Sequence, residues 1–396
     1  MDIKMLAEQL EDKIIEHRRW FHRHPELPFE EKQTTGYIIN TLETLGIETT
    51  TFNDYYGVIG TIRGGRLGKT VMLRADIDAL PTKEATGLDF SSEIPGKMHA
   101  CGHDCHAAML LGAAEILSQC REDLCGTVKL LFQSAEESCF GAKYYVEKGY
   151  LDNIDALFGC HVWGTMPAPF INIQEGYRMA SCDNFTIIVH GCATHGSTPQ
   201  LGQDAIMAAS AIILNLQTFV SRRNDPLNPL VISVGTVKAG TQFNIITDRV
   251  ELEGTIRTFS REIQTTIEPG IRKIITDTAS ALGCTAELIY DSIEGPVINE
   301  HNCLNDVARA ATAKLFGLEQ LRDMPPVTGS EDFSMLMEKA PGVFGFIGCL
   351  NPEKGIVWPN HSDKFTVDES ILQRGSALYA QFAVDYLASA AREENA

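Results

Sequence analysis

Apolar residues recur at helical spacing through Leu6, Leu10, Ile14, Trp20 and Phe21, and again over residues 35–45 until Gly46 interrupts the pattern. The spacing predicts two opening helices, over 6–21 and 35–45. Beyond them, β-branched and apolar runs at 58–62, 70–74, 128–132 and 156–162 alternate with helical patterns at 107–117 and 141–148. Strands that alternate with helices need crossover connections, so the pattern predicts an α/β fold built on a largely parallel sheet. The nearly unbroken apolar run Val128-Lys129-Leu130-Leu131-Phe132 fits a strand covered by helices on both faces.

The middle of the chain has another order. Strand patterns at 184–190, 230–237, 249–258 and 285–291 enclose helical patterns at 203–219 and 261–281. Read in sequence this is βαββαβ, the split ferredoxin-like unit. The α/β pattern resumes with a helix at 304–316, a strand at 343–347 and a last helix from 368 to about 387. We therefore expect one domain in two parts, 1–182 and 294–396, interrupted by an inserted domain at 183–293. The polar tail 392–396 is expected to be disordered.

Composition narrows the choice of partners. A length of 396 residues exceeds what one hydrophobic core usually serves. A formal net charge of -19 argues against nucleic acid and against an anionic membrane surface, and favours small-molecule substrates. No apolar run stands out as a membrane span, and Met1-Asp2-Ile3-Lys4 lacks a signal pattern, so a cytoplasmic protein is expected. The 11 cysteines are an odd number in a large chain, which suggests reduced thiols rather than a disulfide framework.

Candidate chemistry is concentrated in Met98-His99-Ala100-Cys101-Gly102-His103-Asp104-Cys105-His106, with Glu136-Glu137 further on. Imidazole, thiolate and carboxylate are the ligands of divalent transition metals. Ligands in open α/β sheets bind beyond the carboxyl ends of the strands. Asp76 and Asp78, the Cys101 to His106 run, the Glu136-Glu137 pair and His161 all fall at such ends, and His361 lies in a loop of the returning part. Alone, His161 would read as a hydrogen-bonded core histidine and Glu136-Glu137 as a solvated helix start. Their coincidence at one sheet edge favours a metal site.

The segments Arg23-His24-Pro25-Glu26-Leu27, Arg74 to Pro81, Met98 to His106, Phe132 to Glu137, Gly159 to Trp163, Glu253 to Arg257 and Gly329 to Phe333 together resemble those of the M20 metallopeptidases. More narrowly they resemble the N-acyl-amino-acid amidohydrolase branch, which holds hippurate hydrolases, auxin-conjugate hydrolases and N-acetyldiaminopimelate deacetylases. The resemblance implies two divalent metal ions per subunit, manganese or zinc first and cobalt or nickel as alternatives, held by Cys101, His103, Glu137, His161 and His361. It implies Glu136 as general base and Asp78 as a neighbouring carboxylate that positions the centre. It also implies that the two-part domain, 1–182 and 294–396, is catalytic and that the inserted domain, 183–293, is a lid through which a homodimer forms, with His195, Asn244 and Arg257 as lid residues that bind substrate. Four positions depart from the usual branch pattern: Cys105, Ser134, Cys192 and Gln200.

The implied activity is hydrolysis of the amide bond of N-acyl amino acids, by a metal-activated hydroxide with Glu136 moving the proton. A dipeptidase or carboxypeptidase using the same centre is the alternative. Two further readings belong to other classes: a non-catalytic binding protein, which would have no use for Glu136, and a thiol hydrolase with Cys101 as nucleophile, which would ignore chelators.

Overall fold

Seven strands make the larger sheet, in the order Glu48–Thr50, Gly57–Arg63, Cys125–Gln133, Arg66–Asp76, Ala156–Pro167, Gly342–Leu350, Ile171–Asn172. The four central strands run parallel, and antiparallel strands close both sides. The expected parallel sheet is thus the middle of a mixed one. Its register brings Asp76 opposite Gln133 and His161 opposite Phe346, so several strands deliver their carboxyl ends to one edge.

The computed structural model describes residues 2–393. By contacts the chain divides into two compact units, one made of residues up to Gly176, Ile298–Pro325 and Met335 onward, the other of Tyr177–Val297 and Pro326–Ser334. The second unit thus takes in a segment, 326–334, that the sequence pattern leaves with the returning part.

In the first unit the helix His103–Gln119 is buried almost throughout, from Ala107 and Leu110 to Leu117. That explains a composition apolar on all sides: it lies inside the core with strand residues Val71, Leu73 and Phe158 and with Leu378 and Phe382 of the last helix. Four expectations are corrected here. This helix starts at His103 rather than at 107, so His103 and His106 share its first turns. The opening helix is two, Ile3–Gln9 and Glu11–Arg23, separated at Leu10. The last helix runs Leu372–Glu393, so Arg392 and Glu393 are helical, while 394–396 lie outside the described residues. The fourth concerns hydropathy: Ala205–Arg222, of 18 residues and hydropathy 1.3, is long and apolar enough to cross a membrane by length and composition.

In the second unit that helix lies on a sheet of its own. Its buried face, Ala208, Ile212 and Leu216, joins Ile267, Ile271 and Ile275 of the helix Arg261–Ala281. Both helices present these residues at i, i+4 spacing. The sheet order is Leu230–Ala239, Arg249–Thr258, Cys182–His190, Thr285–Glu294, antiparallel throughout. Phe185, Ile187 and Val189 are buried at alternate positions, as a strand with one covered face requires. Chain order and strand order together are those of the βαββαβ unit.

Candidate metal centre

Four stretches of main chain converge at the carboxyl edge of the larger sheet. Cys101 enters from the loop before the helix His103–Gln119, and His103 sits on its first turn. Gly102 joins them at φ 105°, and a Cβ there would lie 2.3 Å from Val162 Cγ2, so the close approach of loop to strand needs glycine. His161 belongs to the strand Ala156–Pro167. After Gln133 the chain turns through Ala135 in the left-handed region (φ 63°) into the single turn Glu136–Ser138. His361, also left-handed at φ 69°, is pinned when its N–H donates to Ala100 O at 2.7 Å. Beside it, Asn360 donates to Cys101 O at 2.8 Å and accepts from Gly164 N at 2.8 Å, tying the late loop to the early one.

The hydrogen bonds fix which nitrogen of each ring faces the centre. His103 Nδ1–H donates to Asp78 Oδ1 at 3.0 Å, and His161 Nδ1–H donates to Val162 O at 2.7 Å. Their Nε2 atoms are left facing inward. His161 Nε2 and His361 Nε2 each lie 3.3 Å from Cys101 Sγ, and His361 Nε2 lies 3.5 Å from Glu137 Oε1. Glu136 Oε2 is 3.9 Å from His103 Nε2. Buried His103 Nε2 and Glu137 Oε1 have no hydrogen-bond partner among the described residues. Such orphaned polar atoms call for a ligand, since an unsatisfied buried group costs roughly 1–3 kcal/mol.

The electrostatics call for a cation. Burial disfavours a charged His103, yet Asp76, Asp78 and Glu137 outweigh it and push its pKa up to about 10. Burial, and then Asp78, push Glu137 up to about 7 against the pull of His103. Burial, followed by Glu137, Glu136 and Asp76, drives the Cys101 thiol well above its ordinary range. A thiol in that field is a poor nucleophile, which weakens the thiol-hydrolase reading, but it ionises readily against a divalent ion. The donors fit divalent metals: soft sulfur, imidazole nitrogen and carboxylate oxygen, all close enough to share ions.

A second group, Asp76, His103 and His106, is also close enough for a metal. Hydrogen bonding argues against it. His106 Nδ1–H donates to Asp76 Oδ1 at 2.5 Å while its Nε2 accepts from Val162 N at 2.8 Å, so both nitrogens are engaged. Asp76 Oδ2 in turn accepts from Arg74 Nη1 at 2.7 Å. Asp76 and His106 therefore support the strand that carries His161. Sequence reasoning counted both among the metal-type residues at the sheet edge and left them out of the ligand set. It missed Glu31 altogether, a buried carboxylate that accepts from Ser134 Oγ and Ala135 N.

In the second unit, His195 and Asn244 are neighbours: His195 pairs with Ile245, and Gly196 N–H donates to Asn244 O at 2.8 Å. His195 Nδ1 accepts from Ser197 N at 3.1 Å. Arg257 stands on the strand Arg249–Thr258, half-buried, with Nη1 donating to Ser181 O at 3.4 Å.

Residues 72–385 match the sequence profile of Peptidase family M20/M25/M40. Thermostable carboxypeptidase 1 of Saccharolobus solfataricus is 38% identical over 391 residues, 97% of this chain and 98% of its own. N-acetylcysteine deacetylase of Bacillus subtilis is 39% identical over 373 residues, 94% of this chain and 96% of its own. The solved structure of the Bacillus subtilis YXEP protein, a dinuclear metal binding peptidase from the M20 family, superposes with a TM-score of 0.85 at 36% identity, covering 96% of this chain and 99% of that one. The chain is thus a metal-dependent amidohydrolase by fold and by relatives. The chain belongs to Peptidase family M20/M25/M40.

Proposed function

We propose that this enzyme hydrolyses N-acyl amino acids to a carboxylic acid and a free amino acid. The observation that carries the reading is the placement of Glu136 beside a cluster of inward-facing donors that leaves His103 Nε2 and Glu137 Oε1 unsatisfied. Cys101, His103, Glu137, His161 and His361 would hold two divalent ions, manganese or zinc, with cobalt or nickel as alternatives. Such ions, when bound, supply Lewis acidity that makes water a nucleophile near neutral pH and polarises a carbonyl. Glu136 takes the proton from the attacking water and returns it to the leaving nitrogen, which must depart as an amine. Asp78 acts through others: it orients His103 and holds the main chain of Glu137, whose N–H it accepts at 2.9 Å.

Within this reading the first unit is catalytic and 183–293 is a lid. Arg257 would fork onto the free carboxylate of the amino acid, with Asn244 and His195 as further contacts. The lid also forms the homodimer. Met207 and Leu214, 58% and 71% exposed, lie seven positions apart on one side of the helix Ala205–Arg222 and offer an apolar face that a second copy would cover.

A second reading, dipeptidase or carboxypeptidase, is supported by the likeness to thermostable carboxypeptidase 1. One experiment separates the two. Amine release is measured from acetyl, benzoyl, phenylacetyl and indoleacetyl amino acids and from dipeptides, with chelator and with added manganese or zinc. Metal-dependent cleavage of an acyl series is expected; cleavage of dipeptides alone would move the enzyme to the second reading. Glu136→Ala should abolish turnover while metal stays bound, and retained turnover would remove Glu136 from the mechanism.

A further inference from the structure

Glu31 occupies the N-cap position of the helix Lys32–Thr44, yet its side chain makes no capping bond there. Glu26 does that work instead, its carboxylate accepting from Gln33 N at 3.1 Å and Thr34 N at 2.8 Å. The Glu31 carboxylate, fully buried, turns to the loop after the strand Cys125–Gln133. Its Oε2 accepts from Ser134 Oγ at 2.6 Å and its Oε1 from Ala135 N at 2.8 Å. On its other side the loop is boxed by Gly141, where a Cβ would lie 2.1 Å from Ser134 O.

The loop so held is the one that carries Glu136. Ala135 is in the left-handed region (φ 63°, ψ 37°), which a residue with a Cβ adopts only when its surroundings enforce it. The next peptide but one is anchored separately, since Glu137 N–H donates to Asp78 Oδ2. Two buried carboxylates thus grip the main chain on either side of Glu136, Glu31 at Ala135 and Asp78 at Glu137.

We propose that Glu31, with the Ser134 hydroxyl as its second donor, is a positioning residue that aims Glu136, and that it does so without contributing to metal retention. The inference rests on the assignment of Glu136 as proton-transfer group. Burying a carboxylate is costly, and burial together with nearby Asp78 pushes Glu31 up to about 7. A helix start that needed only a cap would be served by Glu26 alone.

The test compares the wild type with Glu31→Ala, Glu31→Gln, Ser134→Ala, Glu31→Gln/Ser134→Ala and Glu136→Ala. The readouts are kcat, KM, metal content per folded chain by mass spectrometry, and thermal unfolding. Misplacement of a catalytic group by about 1 Å lowers rates about 100-fold, and Glu31→Ala is expected to lose kcat on that order while KM and metal content hold. Glu31→Gln should recover much of the loss, because its amide oxygen still accepts from Ala135 N–H and its amide nitrogen can donate to Ser134 Oγ. Should Glu31→Ala not fold, the double variant carries the test: its amide loses the Ser134 partner, and kcat should fall below that of Glu31→Gln with metal content unchanged. Unchanged kcat per folded molecule, metal lost in step with kcat, or glutamine no better than alanine would each overturn the positioning role. If Glu136→Ala is inactive and the Glu31 variants are not, only this inference fails; if Glu136→Ala remains active, the base assignment fails and takes this one with it.

Discussion

His106 shows what a residue type can and cannot say. It lies three residues from His103 on the same helix, carries the same ring and sits in the same motif. Yet Asp76 and the Val162 amide engage both its nitrogens, whereas His103 keeps Nε2 for the centre. The difference is made by partners on two strands, which no local spacing encodes. Because Val162 O in turn accepts from His161 Nδ1, the chain Arg74, Asp76, His106, Val162 sets the aim of His161. Loss of such outer partners typically costs 10- to 100-fold in metal affinity, so His106→Ala should weaken binding by about that factor. Competition titration against a chromophoric chelator measures it, and unchanged affinity in a folded variant would show that Val162 is held by the sheet alone.

At the scale of elements, periodicity in the sequence located most helices and strands, and missed where chemistry replaces it. The helix over 103–119 begins four residues before the apolar pattern because its first turn is filled by buried polar groups, His103, Asp104 and His106, rather than by apolar ones. Arg18 Nε and His22 Nδ1 both bond Asp104 Oδ2, at 2.8 Å each, so a buried carboxylate at a helix start is partnered as well as favoured by the macrodipole. The opening helices make a pH prediction. His17 in Glu11–Arg23 has Nδ1 2.8 Å from Tyr37 Oη in Lys32–Thr44, and burial, with help from Lys13, depresses it to about 4. The native ring stays neutral where an unfolded chain, near 6.5, would already bind a proton. Stability from this site is therefore complete above about pH 6.5 and declines as pH falls toward about 4. Urea midpoints followed over that window should drop with acid, and the drop should be smaller in His17→Phe; equal slopes would mean that other groups govern the acid limb.

For the whole molecule, the first unit closes its carboxyl edge with segments far apart in sequence and crowds like charges there. Bound metal should therefore be a large part of its stability. A ligand at 1,000 times its Kd adds about 4 kcal/mol, so chelation should lower Tm by several degrees and added metal should restore it. A Tm indifferent to chelator would mean that the cluster is stable without a cation, against the fields at His103 and Cys101. The second unit gives a separate prediction: Leu214→Asp, on the exposed apolar face of Ala205–Arg222, should turn a dimer into monomers in sedimentation, with Tm nearly unchanged because Leu214 is not in that unit's core.

The sequence by itself determined the alternation of strands and helices, the distinct βαββαβ order of the middle, and the concentration of metal-type side chains over 98–106 and at Glu136-Glu137. These depend on residue type and on spacings of two or 3.6, which are local properties. Tertiary structure decided the rest. His361 meets the sulfur of Cys101 across 260 positions of chain, and Glu31 reaches Ser134 across 103. Tautomers, the engaged nitrogens of His106 and the carboxylate that grips the Glu136 turn follow from such contacts. A lone pair is made available or occupied only by the neighbour that folding brings to it.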